Sequence, residues 1–219
     1  MTDLASAFVR LHARLAPVPF VPEVRLHQAD EPIGLWELTE GEFRSEQPPP
    51  FWAFAWAGGQ GLARYVLDHR PSVAGQRVLD LASGSGLVAI AAALAGAASV
   101  RSVEVDPLAV AAVSLNAASN GAAVQAVLAD VLDGSTGDAS VVLAGDVFYT
   151  KAMADRVMRF LRRARRGGAR VLVGDPGRAF LPRASFRPLA EYDVPVPEAL
   201  ESTRVKHTTV WELPEAAGR

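Results

Sequence analysis

Residues 77 to 89 constrain this chain more than any other stretch. The apolar run Val78, Leu79 and Leu81 gives way to Ala82, Ser83, Gly84, Ser85 and Gly86, and helix-spaced Leu87, Ile90, Ala91 and Leu94 follow at once. An apolar run, a glycine-rich turn and then a helical period predict a buried strand, a tight loop and a helix. Gly84 and Gly86 accept backbone angles that a side chain resists and leave bare N–H groups for a ligand. The odd member is Asp80, a charged residue inside the apolar strand.

Two ligand classes use such a loop. Gly84-x-Gly86-x-x-Ala89 fits the dinucleotide pattern, with Glu104 about twenty residues on as ribose acceptor, which leaves an NAD(P)-dependent dehydrogenase open. Asp80 argues the other way, because its charge would repel a pyrophosphate, whereas S-adenosylmethionine (SAM) carries no phosphate and presents an ammonium and a sulfonium. The run from Val78 to Gly86 resembles motif I of the class I, seven-strand SAM-dependent methyltransferases. Ala82 stands where the family pattern D-x-G-x-G-x-G has its first glycine, which narrows the turn without removing the site. The resemblance implies a SAM site built on Asp80, Ala82, Ser83, Gly84 and Gly86.

Length and composition bound the rest. A chain of 219 residues, half of them apolar, can bury one sizeable core. A helix and hairpin arm is expected over 1–49, the methyltransferase domain over 50–213 and a frayed tail over 214–219. The net charge of −2 gives no bulk attraction to nucleic acid or to an anionic membrane. Without cysteine there is no disulfide framework and no thiolate chemistry, and no metal-spaced cluster stands out, so no metal is expected. The first fifteen residues lack the order of a signal peptide and no uncharged apolar run matches a membrane span, so the expected location is the cytoplasm.

Leu4, Phe8, Leu11 and Leu15 predict an opening helix ended by Pro17 and Pro19, followed by a hairpin of Val24–Leu26 with Ile33–Leu38. The aromatic segment Phe51-Trp52-Ala53-Phe54-Ala55-Trp56 then runs through Gly58-Gly59 into a helix. It resembles the W-A-x-x-W-x-G-G segment of seven-strand protein lysine methyltransferases, and that resemblance implies that Trp56 lines the SAM pocket. Read from the residues alone, Trp52, Phe54 and Trp56 serve a core equally well.

Strands are predicted at 100–105, 124–128, 140–145 and 169–174, with helices at 108–119 and 151–166. Asp106 caps the first of these helices ahead of Pro107, and Asn120-Gly121 ends it. The β/α alternation stops at Ser185–Tyr192 and Arg204–Leu213, which should pair antiparallel. The expected architecture is α/β, a doubly wound, mostly parallel seven-stranded sheet with a reversed C-terminal strand, as the resemblance also implies.

In such sheets ligands bind beyond the carboxyl ends of the strands. Asp80, Gly84, Gly86, Glu104, Asp130 and Asp146 all fall there by strand order. Glu104 can accept both ribose hydroxyls or be a surface residue. The resemblance puts Asp130 at the adenine amino group with Val131 against the ring, while Asp130 alone reads equally as a turn former. Asp146-Val147-Phe148-Tyr149 resembles the D/E-x-x-Y/F motif after strand four of seven-strand lysine methyltransferases, closest to the branch that modifies the electron transfer flavoprotein beta subunit.

That resemblance implies a protein presenting a lysine as partner, with Asp146 at the cofactor and holding the ammonium, and Phe148 and Tyr149 offering π-faces; simple burial is the alternative for both rings. A small amine or pyridine acceptor stays open, as does a non-catalytic SAM-binding module. The arginines between Arg156 and Arg166 read as a solvated face or as a dock for an acidic partner. His12, His27, His69 and His207 are scattered singles, of which only His207 sits on a late strand.

Overall fold

The computed structural model describes residues 2–29 and 49–215. In chain order the elements are α1 (Thr2–His12), β1 (Arg14–Val18), β2 (Val21–Gln28), α2 (Ala57–Asp68), β3 (Arg77–Leu81), α3 (Leu87–Leu94), β4 (Ser99–Glu104), α4 (Pro107–Ser119), β5 (Gln125–Leu128), β6 (Val141–Gly145), α5 (Lys151–Arg166), β7 (Arg170–Asp175), β8 (Arg187–Pro195), α6 (Glu198–Glu201) and β9 (Val205–Glu212). Seven strands form one sheet in the order β5-β4-β3-β6-β7-β9-β8. Neighbours from β5 to β7 run parallel, and β9 runs antiparallel to both β7 and β8, so β9 is the reversed strand.

Because side chains alternate across a strand, an all-apolar strand feeds two cores at once. Val78, Val141, Leu143 and Leu172 pack on one face with α2 and α3, whereas Leu79, Leu81, Val142, Ala144, Val171 and Val173 pack on the other with α5. A third cluster joins Val9 of α1, Trp52, Phe54 and Ala109, Ala111 and Ala112 of α4. The central strand β3 pairs with β4 on one side and β6 on the other, so the chain leaves it in opposite directions and a crevice opens above its carboxyl end.

The N-terminal expectations need correction. Helix α1 stops at His12, and Arg14–Val18 pairs antiparallel with Val21–Gln28 across a tight Pro19-Phe20 turn. Pro17 belongs to that strand, where an edge tolerates a missing N–H. Leu15 is therefore not on the helix, and Leu4 and Leu11 point outward, 80% and 78% exposed, while Val9 is the buried contact. Val24–Leu26 is a strand as expected, but its partner is β1; Ile33–Leu38 lies outside the described residues. Elsewhere the predicted elements agree with the observed ones to within three residues. Among the described residues no helix is long and apolar enough to cross a membrane.

Candidate active site

A cavity of about 280 Å³ opens at the carboxyl ends of β3, β4 and β6. Its base is the loop after β3. Ala82, Gly84 and Gly86 all have positive φ, at 51°, 54° and 79°. Ala82 thus takes the left-handed angle its glycine counterpart would take freely, at a cost of roughly 1–2 kcal/mol. Gly86 is needed for a different reason: a Cβ there would lie 3.1 Å from the methyls of Val113, so it lets α4 approach the loop.

Two carboxylates hold this loop. Asp80 is 1% exposed and accepts the Ala89 N–H in the first turn of α3 at 3.0 Å. Burial, with the charge of Glu104 added, pushes its carboxyl up to about 8. Glu104 accepts the Gly84 N–H at 2.7 Å and the Val105 N–H at 3.0 Å, and burial raises its pKa as well. Asp106 caps α4 by accepting from Leu108 N–H, as the sequence predicts.

Asn116, inside α4, links three parts of the chain. Fully buried, it donates to the Ser85 carbonyl at 2.8 Å and accepts from both the backbone N–H and the ring Nδ1 of His27 at 2.8 Å. The acceptor is the amide oxygen, so Nδ1 carries the proton. Strand β2 is in this way tied to the glycine loop, and Asn120 adds a second tie to Arg25.

The opposite wall comes from remote parts of the chain. Gly58 and Gly59 start α2 directly against the ends of β6 and β7. A Cβ on Gly58 would meet the Gly174 carbonyl at 2.4 Å, and one on Gly174 the Gly58 carbonyl at 2.0 Å. Asp146, at φ 55°, accepts the Gly59 N–H at 2.9 Å through Oδ2, while Oδ1 takes Nη2 and Nε of Arg178 at 2.8 and 3.2 Å. Burial raises the Asp146 pKa and the Arg178 charge opposes that rise. The Arg178 guanidinium also lies over the Trp56 ring, 5.8 Å from its centroid.

Trp56 donates its indole N–H to the Phe51 carbonyl at 2.9 Å, and the Phe51 ring stands 5.6 Å from that of Tyr149. Tyr149, 45% exposed, forms the mouth.

Of the residues singled out from sequence, Trp56, Asp80, Ala82, Ser83, Gly84, Glu104, Asp146 and Tyr149 line this cavity together, whereas Gly86, Asp130, Val131 and Phe148 do not. Phe148 is fully buried edge-on to Phe186, the burial alternative for that ring. Asp130 pairs with Arg156 at 2.9 Å and accepts from Leu132 N–H, and Val131 packs against the α5-side core. Trp52 and Phe54 are core aromatics whose surfaces also reach the cavity. Exposed His207 sits beside Asp193 and Glu191, away from the cavity lining.

Sequence reading missed Arg178. It follows β7 in Asp175-Pro176-Gly177-Arg178, a string that reads as a turn and carries no sign of the contact across to β6.

Among the described residues Arg178 is the one lysine or arginine of the lining, against the carboxylates Asp80, Glu104, Asp106 and Asp146. The cavity therefore suits a cationic ligand and opposes a phosphate. No group of His, Cys, Asp and Glu that could hold a metal ion occurs among the described residues.

A family model described as ribosomal protein L11 methyltransferase (PrmA) matches residues 64–166. The electron transfer flavoprotein beta subunit lysine methyltransferase of Xenopus laevis is 37% identical over 216 residues, 94% of this chain and 86% of the relative. Its counterpart in Danio rerio is 37% identical over 87% of this chain and 75% of the relative. Among solved structures, a ribosomal protein L11 methylase from Lactobacillus delbrueckii subsp. bulgaricus gives a TM-score of 0.54 at 19% identity, covering 90% of this chain and 97% of its own. A 16S rRNA methyltransferase from Thermus thermophilus, in complex with AdoMet and guanosine, gives 0.57 at 17% identity, covering 94% of this chain and 50% of its own. These two likenesses speak for the fold, and the two close relatives, alike over most of their length and of this chain, for the family. The chain belongs to the electron transfer flavoprotein beta subunit lysine methyltransferases.

Proposed function

We propose that this methyltransferase moves the methyl group of SAM to the ε-amine of a lysine on a protein, and that the electron transfer flavoprotein beta subunit is its substrate. The observation that carries the choice of cofactor is Glu104 sitting on the Gly84 N–H at 2.7 Å. A pyrophosphate laid on residues 82 to 86 would compete with that carboxylate and face Asp80, whereas the same two acids attract an ammonium and a sulfonium. Glu104 keeps lone pairs for ribose hydroxyls while it holds the loop. When bound, SAM supplies a methyl carbon made electrophilic by positively charged sulfur.

The chain's own residues handle the acceptor. A lysine must lose its proton before it can attack, which costs about 4–5 kcal/mol at neutral pH. Asp146 spends two contacts on Arg178 and one on Gly59, so a lone pair of Oδ2 stays for an incoming ammonium. Trp56 and Tyr149 add π-faces that tolerate a methylated cation. Most of the rate gain comes from holding amine and methyl in register.

The test is incubation of the purified protein with SAM and the flavoprotein subunit, followed by peptide mass spectrometry. Methylated lysine with matching release of S-adenosylhomocysteine (SAH) is expected. Turnover on small amines with none on protein overturns the acceptor, and thermal stabilisation by NADH but not by SAH overturns the cofactor.

A further inference from the structure

We propose that Arg178 is a positioning residue for methyl transfer: held from behind by Glu201, it fixes the direction and the charge of Asp146 and so shapes the acceptor side of the pocket. The proposal rests on the reading above that Asp146 meets the acceptor amine.

Its basis is geometric. Asp146 is a non-glycine residue in the left-handed region, a conformation that persists only where the surroundings impose it. Its carboxylate is gripped by Arg178 and by the Gly59 N–H. Arg178 is itself set by two other groups. Asp175 Oδ1 accepts the N–H groups of Gly177 and Arg178, each at 2.7 Å, turning the chain after β7 back toward β6. Glu201 on α6, its side chain 5% exposed, accepts Nη2 at 2.9 Å and Nη1 at 3.4 Å.

Lys206 lies 3.4 Å from the same Glu201 carboxylate, so the cluster sets two cations against Asp146 and Glu201. Besides the Gly59 N–H, the charged groups that bear on Asp146 are Arg178, Glu201 and the neighbouring Asp175. Without Arg178, two buried acids would stand beside Asp146 with no direct cation on it. The acid would protonate and could no longer hold an ammonium.

The chain from Glu201 through Arg178 to Asp146 also joins the β8–β9 connection to the site. That places the two ends of one ion network on segments more than fifty residues apart in sequence.

The experiment compares Arg178→Met, Arg178→Lys and Glu201→Gln in kcat, KM for the protein acceptor, SAH affinity and pH profile. For Arg178→Met, kcat should fall about 100-fold while SAH affinity stays within about threefold, and the acidic limb of the profile should move up by at least about one pH unit. Arg178→Lys keeps the charge without the fork and should recover about tenfold of the lost rate with the acidic limb restored; Glu201→Gln should lose about tenfold.

A wild-type kcat and profile in Arg178→Met overturn the proposal, as does loss of SAH binding in step with kcat. Should Arg178→Met fail to fold, unchanged kcat and pH limb in both Arg178→Lys and Glu201→Gln overturn it.

A substrate-free reading separates this proposal from the function above. Relative to wild type, in which buried Asp80 already carries a proton, an added infrared stretch of a protonated carboxyl should appear at neutral pH in Arg178→Met and be lost in Arg178→Met combined with Asp146→Asn. If no lysine is methylated by the wild type yet that band appears, the acceptor assignment is wrong and the control of Asp146 by Arg178 stands. If lysine is methylated and the band is absent, the reverse holds.

Discussion

The two halves of the pocket are built in different ways. On the cofactor side, Asp80, the loop of residues 82 to 86 and Glu104 lie within two consecutive β/α units, and their hydrogen bonds join adjacent strands and the helix between them. On the acceptor side, Trp56 with Gly59, Asp146, Arg178 and Glu201 come from four separate segments, held by close glycine contacts and one arginine. A half built locally is rigid because the chain itself enforces it. A half built from remote pieces is only as rigid as its few long-range contacts, so damage should spread further there.

The largest effect should follow from disturbing the glycine seam. In Gly174→Ala the added Cβ meets a backbone oxygen at 2.0 Å, which cannot rotate away, so α2 must shift from the sheet and carry Gly59 off Asp146. Overpacking of this kind costs about 3 kcal/mol, read as a lower urea midpoint. Gly59→Ala meets nothing within 4 Å and serves as control. Equal stability for the two variants would mean that the close glycine contacts do not hold the acceptor half together.

Next in size is Asn116→Ala, which tests how far the local half depends on the N-terminal strands. It removes the donor to Ser85 and leaves the His27 N–H without its buried acceptor. The expected loss is about 2 kcal/mol of stability with weaker SAH binding. Unchanged SAH affinity would mean that β2 supports the fold but not the loop.

This difference also explains what could be read from sequence. The strand, loop and helix around Asp80 were legible because spacing alone dictates them, and Glu104 because strand order puts it on the same edge. Asp106 and Gly121 declared themselves through helix-end chemistry. Arg178 did not, because nothing local marks an arginine after a turn as the partner of an acid thirty-two residues earlier. The opening helix failed for a related reason. Leu4, Leu11 and Leu15 have helical spacing, but pairing with β2 claims Leu15, and Val9, off that stripe, makes the buried contact. Phe148 and Tyr149, adjacent in sequence, part ways because one faces the α5-side core and the other the cavity mouth.

A smaller effect, set by pH, sharpens the electrostatics of the local half. Asp80 titrates near 8 in the folded protein against 3.8 for an unburied acid. A raised carboxyl contributes stability at low pH that is lost as pH climbs from 3.8 through 8, so the ligand-free protein should soften toward alkaline pH. The ammonium that SAM and SAH share needs the ionised acid, so binding below pH 8 releases a proton and affinity should rise with pH, by at most about tenfold per unit. Calorimetric titration of SAH from pH 6 to 8 in wild type and Asp80→Asn checks this, with the variant cancelling the ligand's own ionisation. A slope that survives in Asp80→Asn would assign the proton to another group.

The smallest expected effect marks where the cofactor half ends. Asp130 stands at the end of β5, where strand order alone would recruit it, yet its side chain is 46% exposed and engaged with Arg156, which also reaches Asp133 at 2.7 Å. A solvent-exposed pair of this kind is worth about 0.2–1 kcal/mol, and Arg156 keeps a second partner. Asp130→Asn removes the charge, retains an oxygen for the Leu132 N–H and should therefore change stability by less than about 0.5 kcal/mol and SAH affinity by less than about threefold. A tenfold or greater loss of SAH affinity at unchanged stability would extend the cofactor half from β4 to β5. It would also mean that the Arg156 pair gives way to the ligand, so that the arginine face of α5 begins at the rim of the site.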